Sequence, residues 1–424
     1  MACYEILRWE PASSVGVLAR KDRRPCDYRV YFPDTLADRP IMLDGSVAAD
    51  VADAESAIAR FDARARALVD TEAFARLLLR AESVASSRIE GLEIGARRLL
   101  RADAAREFGE DPTDVTAVEV LGNIDAMRFG TQAIDEGDAI TVDVLLEIHR
   151  RLLASTHLSA HAGKLRATQN WIGGSSYNPC SASFVPPPPD MVEPLLKDLC
   201  AFCNDDRLPP LAQAAIAHAQ FETVHPFVDG NGRVGRALIH LILRRRGLAT
   251  RTLPPISLIL ATRAGDYVHG LTATRYKGSP GGKAARDGLN LWIGRFASAA
   301  QRSVSDATAF EARVDALEKI WRERLGRVRR GSATDILLRR LPALPILTVN
   351  SAAALIGRGF VATNEAVGRL VKEKILVSIR AGRRNRAFEA PELISAFTDF
   401  ERGLASPMGN THVAPPARCV PRRG

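Results

Sequence analysis

Apolar residues recur at helical spacing along most of the chain. Between Ala54 and Ala81, in a stretch rich in alanine, leucine and arginine, Ile58, Phe61, Leu68, Phe74 and Leu77 fall at roughly helical intervals, the pattern of an amphipathic helix. The same criterion predicts helices over Asp114 to Phe129, Thr141 to Ser155, Met191 to Cys203, Pro210 to Val224, Val234 to Arg246, Ser257 to Leu271 and Gly288 to Ala299. Two stretches break the pattern. Met1 to Ser46 has little periodicity and is punctuated by Pro11, Pro25, Pro33 and Pro40, so it reads as an extended, ordered arm. Arg166 to Asp190 is rich in Gly, Ser and Asn and contains the run Pro186 to Pro189; Phe184 and Val185 before the prolines suit an extended edge element or hairpin. The fold class up to about residue 330 is therefore all-α.

After a strongly basic connector, Arg322 to Arg340, the texture changes. Thr348 to Ile356 and Thr363 to Lys374 read as helices, and Ile375 to Glu389 as a two-stranded ribbon with a basic turn at Gly382-Arg383-Arg384-Asn385-Arg386. That succession resembles a winged helix-turn-helix module, with Asn364, Arg369 and Lys372 on a recognition helix and Arg383, Arg384 and Arg386 in the wing. The segment after Ser406 carries Pro407, Pro415, Pro416 and Pro421 and is expected to be disordered. The chain thus divides into an arm and helical region at 1–113, a helical core at 114–300, a basic helical connector at 301–340, the winged-helix-like α+β module at 341–404 and a tail at 405–424.

A length of 424 residues allows two or three folded units, and 46% hydrophobic with 25% charged residues is an ordinary soluble composition. The net charge of +9 favours anionic partners such as nucleotides or nucleic acid. The first ten residues lack the apolar core of a signal peptide, and stretches such as Ala237 to Leu243 are too short to span a bilayer, so a cytoplasmic protein without a membrane partner is expected. Six cysteines in a chain this long do not make a disulfide framework. Cys200 and Cys203 form a lone C-x-x-C without two further zinc ligands at matching spacing and read as structural.

The chemistry is concentrated in His225-Pro226-Phe227-Val228-Asp229-Gly230-Asn231-Gly232-Arg233-Val234-Gly235-Arg236. Pro226 ends one helix, and Gly230 to Gly232 can present successive backbone N–H groups at the start of the next, where a phosphate would sit. Asp229, just before that cradle, can hold a Mg²⁺ bridging nucleotide phosphates. Arg233 and Arg236 are three apart and share a helix face, so two guanidinium forks can grip further phosphate oxygens. His225 can take a proton from an attacking hydroxyl near neutral pH. Each group alone would read as structural or solvated, but packing does not require a Gly-Asn-Gly turn flanked by both signs of charge.

These twelve residues resemble the signature of the Fic (Fic/Doc) family at every specified position, and the resemblance extends over about residues 35 to 300, through Gly163 to Gly174 and Ala217 to Thr223. It implies a Fic-type helical core with a short β-hairpin flap. It also implies transfer of AMP from Mg·ATP to a Ser, Thr or Tyr hydroxyl of a protein, this chain itself included. His225 would be the base and Asp229 the metal ligand. Gly230, Asn231 and Gly232 would hold the α-phosphate, Arg233 and Arg236 the departing pyrophosphate, and Phe184 and Val185 the flap on which a target segment pairs as a strand. Upstream, Ser86-Ser87-Arg88-Ile89-Glu90-Gly91 is similar to the family's inhibitory pattern. Glu90 would then pair with Arg236, disfavouring productive ATP binding, or orient a water for removal of AMP. Phosphate transfer of the Doc type is disfavoured by Gly232 where that branch carries lysine. A DNA-binding regulator with a nucleotide-sensing core is the alternative from another class, and the sequence is compatible with a homodimer.

Overall fold

The computed structural model describes residues 1–11, 24–67, 71–107, 112, 114–381 and 385–405. It is mainly helical. In chain order the elements are β1 Cys3–Trp9, β2 Cys26–Phe32, α1 Gly45–Ala67, α2 Thr71–Ile89, α3 Ala96–Glu107, α4 Val115–Ala133, α5 Val142–Leu153, α6 Pro189–Cys203, α7 Pro210–Val224 and α8 Asn231–Arg245. Then follow α9 Ile256–Thr262, α10 Ala264–Ala273, α11 Lys283–Leu325, α12 Ala333–Arg340, β3 Ile346–Leu347, α13 Val349–Ile356, α14 Phe360–Lys372, β4 Val377–Ala381, β5 Asn385–Glu389 and α15 Pro391–Ala405. No helix among the described residues is long and apolar enough to cross a membrane.

The chain forms two compact units, one from Met1–Glu55, Phe129–Gly247 and Gly265–Ser298, the other from Ser56–Arg128, Leu248–Ala264 and the described part of Ala299–Gly424. The first unit is centred on α7 and α8, whose residues are buried on nearly every side. A Cβ at Gly235 of α8 would lie 2.9 Å from Glu222 Oε1 and 3.1 Å from His218 Nδ1 of α7, so the absence of a side chain there sets how closely the two helices approach. Trp292 of α11, fully buried, donates its indole N–H to the Ala215 carbonyl at 2.7 Å, satisfying the one polar atom of that large ring.

The arm expected at the N-terminus is a β-hairpin. β1 and β2 pair antiparallel from Cys3↔Phe32 to Trp9↔Cys26, so the all-α expectation fails at this end. Cys26-Asp-Tyr-Arg-Val30 alternates outward and inward, but five residues of period two were too little signal beside four prolines. Cys26 forms a disulfide with Cys180, across 154 residues. The expectation of no disulfide framework did not foresee this single bond; pairing at such separation has no local sequence signature. Cys200 and Cys203 are free and buried, and burial pushes the Cys200 thiol up to about 12.

In the second unit α2, α3 and α4 meet through Val84, Leu99, Val120, Leu121 and Ile124. The expected helix from Ser257 to Leu271 breaks at Arg263 into α9 and α10. Glu82 of α2 is fully buried and accepts from Ser257 N at 2.8 Å and from Ser257 Oγ, which satisfies an orphan amide in the first turn of α9. Asp62 of α1 accepts from Arg251 N at 2.8 Å and Thr252 N at 2.9 Å. The basic connector is the second half of α11 followed by α12, and part of its charge is paired within the chain: Arg322 pairs with Glu318 at 2.6 Å and Asp335 at 2.9 Å, and Arg324 with Glu392 at 2.7 Å. Beyond it lies a three-stranded sheet of order β3-β5-β4. Helices α13 and α14 are joined through Gly357 in the left-handed conformation. Arg383 and Arg384 of the predicted wing, and the tail expected to be disordered, lie outside the described residues.

Glu82→Ala should lower the unfolding free energy by about 2–3 kcal/mol, the cost of removing a buried acceptor from two donors; Glu82→Gln, which keeps one acceptor, should lose less. Urea denaturation of the three proteins checks this, and equal stability of wild type and alanine variant would contradict it.

Candidate active site

The loop between α7 and α8 is held in an uncommon shape. His225, the residue ending α7, has φ 50° and ψ 60°, left-handed values, and its amide still donates to Phe221 O at 2.9 Å. A non-glycine residue there is strained and needs support from its surroundings. Support comes from Arg166, whose Nε donates to the His225 carbonyl at 2.8 Å and whose Nη2 donates to Pro187 O at 2.5 Å and Val224 O at 3.3 Å. Burial lowers the Arg166 guanidinium to about 10, still cationic at neutral pH. The His225 imidazole Nδ1 stands 4.0 Å from Glu222 Oε2, with 18% of the side chain exposed.

The rest of the loop is closed by Asn231. Its side-chain Oδ1 accepts from Phe227 N and its Nδ2 donates to Phe227 O, both at 2.8 Å. The Asn231 carboxamide is thus bonded within the loop through its oxygen and one of its two N–H donors. Gly230 is left-handed at φ 79°, and a Cβ there would lie 2.7 Å from Leu152 Cδ2, so only glycine fits. α8 begins at Asn231, and the first main-chain bond to Gly230 O comes from Val234 N at 3.0 Å. The amides of Asn231, Gly232 and Arg233 therefore point out of the helix end as donors.

Asp229 is half-exposed, at 46%, and its Oδ2 accepts from Arg233 Nη2 at 2.6 Å. Arg233 is otherwise buried, and its Nε and Nη1 meet no acceptor among the described residues. Buried guanidinium donors left over beside a helix N-terminus suit an anion of several oxygens. Arg236, three residues on, is 1% exposed and lies 3.5 Å by Nη1 from the Tyr267 hydroxyl. The structure therefore brings His225, Asp229, Gly230, Gly232, Arg233 and Arg236 onto one loop and the helix it opens.

Phe184 and Val185 lie where an extended element was expected. Ile172 and Phe184 form an antiparallel bridge, and the amides of both Ser183 and Phe184 donate to Ile172 O, at 2.8 and 3.2 Å, a bulge that bends the strand. Both side chains are buried, so any pairing with another chain is left to the main chain. Ser86 and Glu90 belong to the other unit, at the end of α2. Leu92 N donates to Ser87 O and Gly91 N to Arg88 O, both at 3.0 Å, with Gly91 at φ 84°. This Schellman closure leaves Ser86 buried and Glu90 exposed at the helix terminus.

One residue of the site was missed. His149 of α5 stacks on Phe227 with ring centroids 3.8 Å apart. Its Nδ1 accepts from Gly163 N and its Nε2 lies 3.1 Å from Asp229 O, a pair of contacts that fixes the tautomer with the proton on Nε2. Burial lowers its pKa to about 4, so it stays neutral. Its sequence signal was a histidine at a core position of an amphipathic helix, which does not reveal the partner. Asn170, noted as part of a wider resemblance, donates to Phe227 O at 3.0 Å.

Residues 139–243 match the model of the Fic/DOC family, and residues 48–132 match that of the Fic/DOC family N-terminal segment. Protein adenylyltransferase fic-1 of Caenorhabditis elegans is 38% identical over 154 residues, 35% of this chain and 27% of that protein. Protein adenylyltransferase Fic of Nematostella vectensis is 34% identical over 157 residues, 35% of this chain and 32% of that protein. The chain thus spans roughly a third or less of these relatives' length. The crystal structure of a Fic family protein from Desulfovibrio desulfuricans G20 superposes with a TM-score of 0.52 at 19% identity, covering 83% of this chain and 98% of that one, which marks a shared fold. The chain carries a Fic/DOC family domain at residues 139–243, preceded at residues 48–132 by the N-terminal segment of the same family.

Proposed function

We propose that this chain is a protein adenylyltransferase that moves AMP from ATP to a Ser, Thr or Tyr hydroxyl of a protein, itself included, under restraint from Glu90. The observation that carries the reading is the loop geometry: a supported His225 followed by an open helix N-terminus with buried, incompletely bonded Arg233. His225 takes the hydroxyl proton while the oxygen bonds to the α-phosphorus and the pyrophosphate oxygen departs. The amides of Asn231 and Gly232 meet the non-bridging oxygens, and Arg233 and Arg236 neutralise the leaving group. Asp229 fits as a Mg²⁺ ligand, because Mg²⁺ is commonly held by one or two carboxylates together with substrate phosphates rather than by a protein cage. When bound, the ion would neutralise charge on the phosphates.

In this reading Glu90 contends with the γ-phosphate for Arg236, and whether it also supports removal of AMP is a property of the same carboxylate. The expected outcomes are distinct. His225→Ala should abolish incorporation from α-labelled ATP while nucleotide binding persists, since the base acts only in the transition state. Glu90→Gly should raise self-labelling by about ten- to a hundred-fold, corresponding to roughly 1.5–3 kcal/mol for one charge-assisted hydrogen bond. Labelling surviving in the Glu90→Gly/His225→Ala double variant would remove the catalytic assignment, and an unchanged Glu90→Gly variant the inhibitory one.

A second reading, duplex DNA as a partner of residues 341–404, is favoured by the helix–helix–hairpin order and by the face of α14. There Phe360, Val361, Asn364, Arg369 and Lys372 are all exposed, a mixture suited to base edges and phosphates. Wild type should shift random duplex in a salt-dependent manner, and Arg369→Ala/Lys372→Ala should weaken the shift. Equal retardation of both proteins would count against this surface.

A further inference from the structure

The reading of the flap as the place where a target segment pairs leaves one feature of the first unit without a role. β2 lies along the flap, and the two are fastened at two points. At one end Tyr31 N donates to Val185 O at 3.0 Å, within a buried cluster of Ala2, Tyr31, Phe184, Tyr276 and Ala285. At the other end the Cys26–Cys180 disulfide joins the first residue of β2 to the short 3-10 turn Pro179–Ser181. Between the two fastenings the contact is incomplete. A cavity of about 420 Å³ lies there, lined by Asp27, Tyr28 and Arg29 of β2 and by Ala182 to Val185 of the flap.

The tip of the flap, residues 171–183, makes hydrogen bonds within itself. Trp171 Nε1 donates to Ser175 O at 2.7 Å, Ser175 N to Ser181 Oγ at 3.1 Å and Cys180 N to Asn178 Oδ1 at 3.1 Å. Gly173 and Gly174, both at φ 74°, stand at its root, consecutive left-handed residues that only glycine adopts readily. Cys180 is exposed and Cys26 half-buried, so an external thiol can reach the bond. A slot closed at both ends cannot receive a continuous extended chain lengthwise, whereas one open at the tip can.

We propose that the Cys26–Cys180 disulfide is a thiol-reversible latch on the slot between β2 and the flap, closing it to an extended target segment when oxidised and opening it when reduced. The proposal rests on the adenylyltransferase reading above for its consequence, not for its chemistry. An external thiolate attacks Sγ of Cys180, the S–S bond breaks, and Cys26 leaves as a thiolate that takes a proton. A second thiol resolves the mixed disulfide, so two external thiols supply two electrons and end as one disulfide. The Tyr31–Val185 end and its cluster remain, so the flap opens from its tip without the unit losing its core.

The test uses the full chain carrying Cys419→Ser, with and without dithiothreitol, beside Cys26→Ser and Cys180→Ser. Peptide mapping without reductant should recover the Cys26–Cys180 pair. Hydrogen exchange at the amides of residues 175–183 should accelerate at least ten-fold on reduction while α7 and α8 stay protected. Self-labelling from α-labelled ATP in the Glu90→Gly background should rise several-fold on reduction, and either serine variant should show the raised rate without responding to dithiothreitol. Free thiols at both positions in the untreated protein, or flap exchange indifferent to reduction, would overturn the latch. Faster exchange with unchanged labelling would overturn its gating of targets. Absence of labelling in every form would refute the transfer reaction instead, and peptide mapping and hydrogen exchange would still decide the latch.

Discussion

The pair of 2.8 Å hydrogen bonds between the Asn231 carboxamide and the two backbone groups of Phe227 is the constraint on which the site depends. It closes the turn from α7 into α8 and commits both halves of the carboxamide to that one peptide segment. With the loop closed, Asp229 stands beside Arg233, Gly230 takes a left-handed conformation against Leu152, and the first amides of α8 are left facing outward. A residue at 231 without a side-chain acceptor would leave the buried Phe227 amide unbonded. The residue most easily taken for a substrate contact is therefore a builder of the site.

The second layer of support is polar and buried. Arg166 reaches the carbonyls of His225, Val224 and Pro187, and His149 spans Gly163 N and Asp229 O. Both are shifted by burial in the direction that opposes charge, and the outcomes differ. Arg166 remains cationic because its pKa falls only to about 10, while His149, lowered to about 4, is a neutral donor and acceptor. A guanidinium serving several carbonyls tolerates the desolvation because each of its three nitrogens donates to an oxygen; an imidazole with two fixed neutral partners does not need its charge. Strain at His225 is thus maintained by groups that are not themselves candidates for the chemistry.

Around this site the β-structure is slight and consequential. β1 and β2 place Tyr31 against Phe184, and Phe184 also lies under the Arg275 guanidinium at 3.5 Å. The flap is held between an aromatic ring and a cation, bent by its bulge and tied to β2 at its tip. Its side chains serve anchoring, and its main chain has already given Phe184 N and O to Ile172 and Val185 O to Tyr31. That arrangement ties the edge of the flap to β2 at two points.

The amino-acid sequence by itself determined the helices of the core and singled out the loop from His225 to Arg236 as the candidate site. Both are local: α7 is a buried helix opened by a proline and α8 an amphipathic one, fifteen residues each, and His225 to Arg236 is contiguous, so a reading in chain order finds them. α15 escaped although Leu393, Ile394, Phe397 and Phe400 have helical spacing, because its neighbourhood read as the end of a ribbon. Other features were decided only by the tertiary structure. The N-terminal hairpin, the Cys26–Cys180 bond, the clamp by Arg166 and the place of His149 join residues 14 to 154 positions apart. The partner of a buried polar group or a thiol is set by which elements meet in space, and a chain read in order shows the group without the meeting.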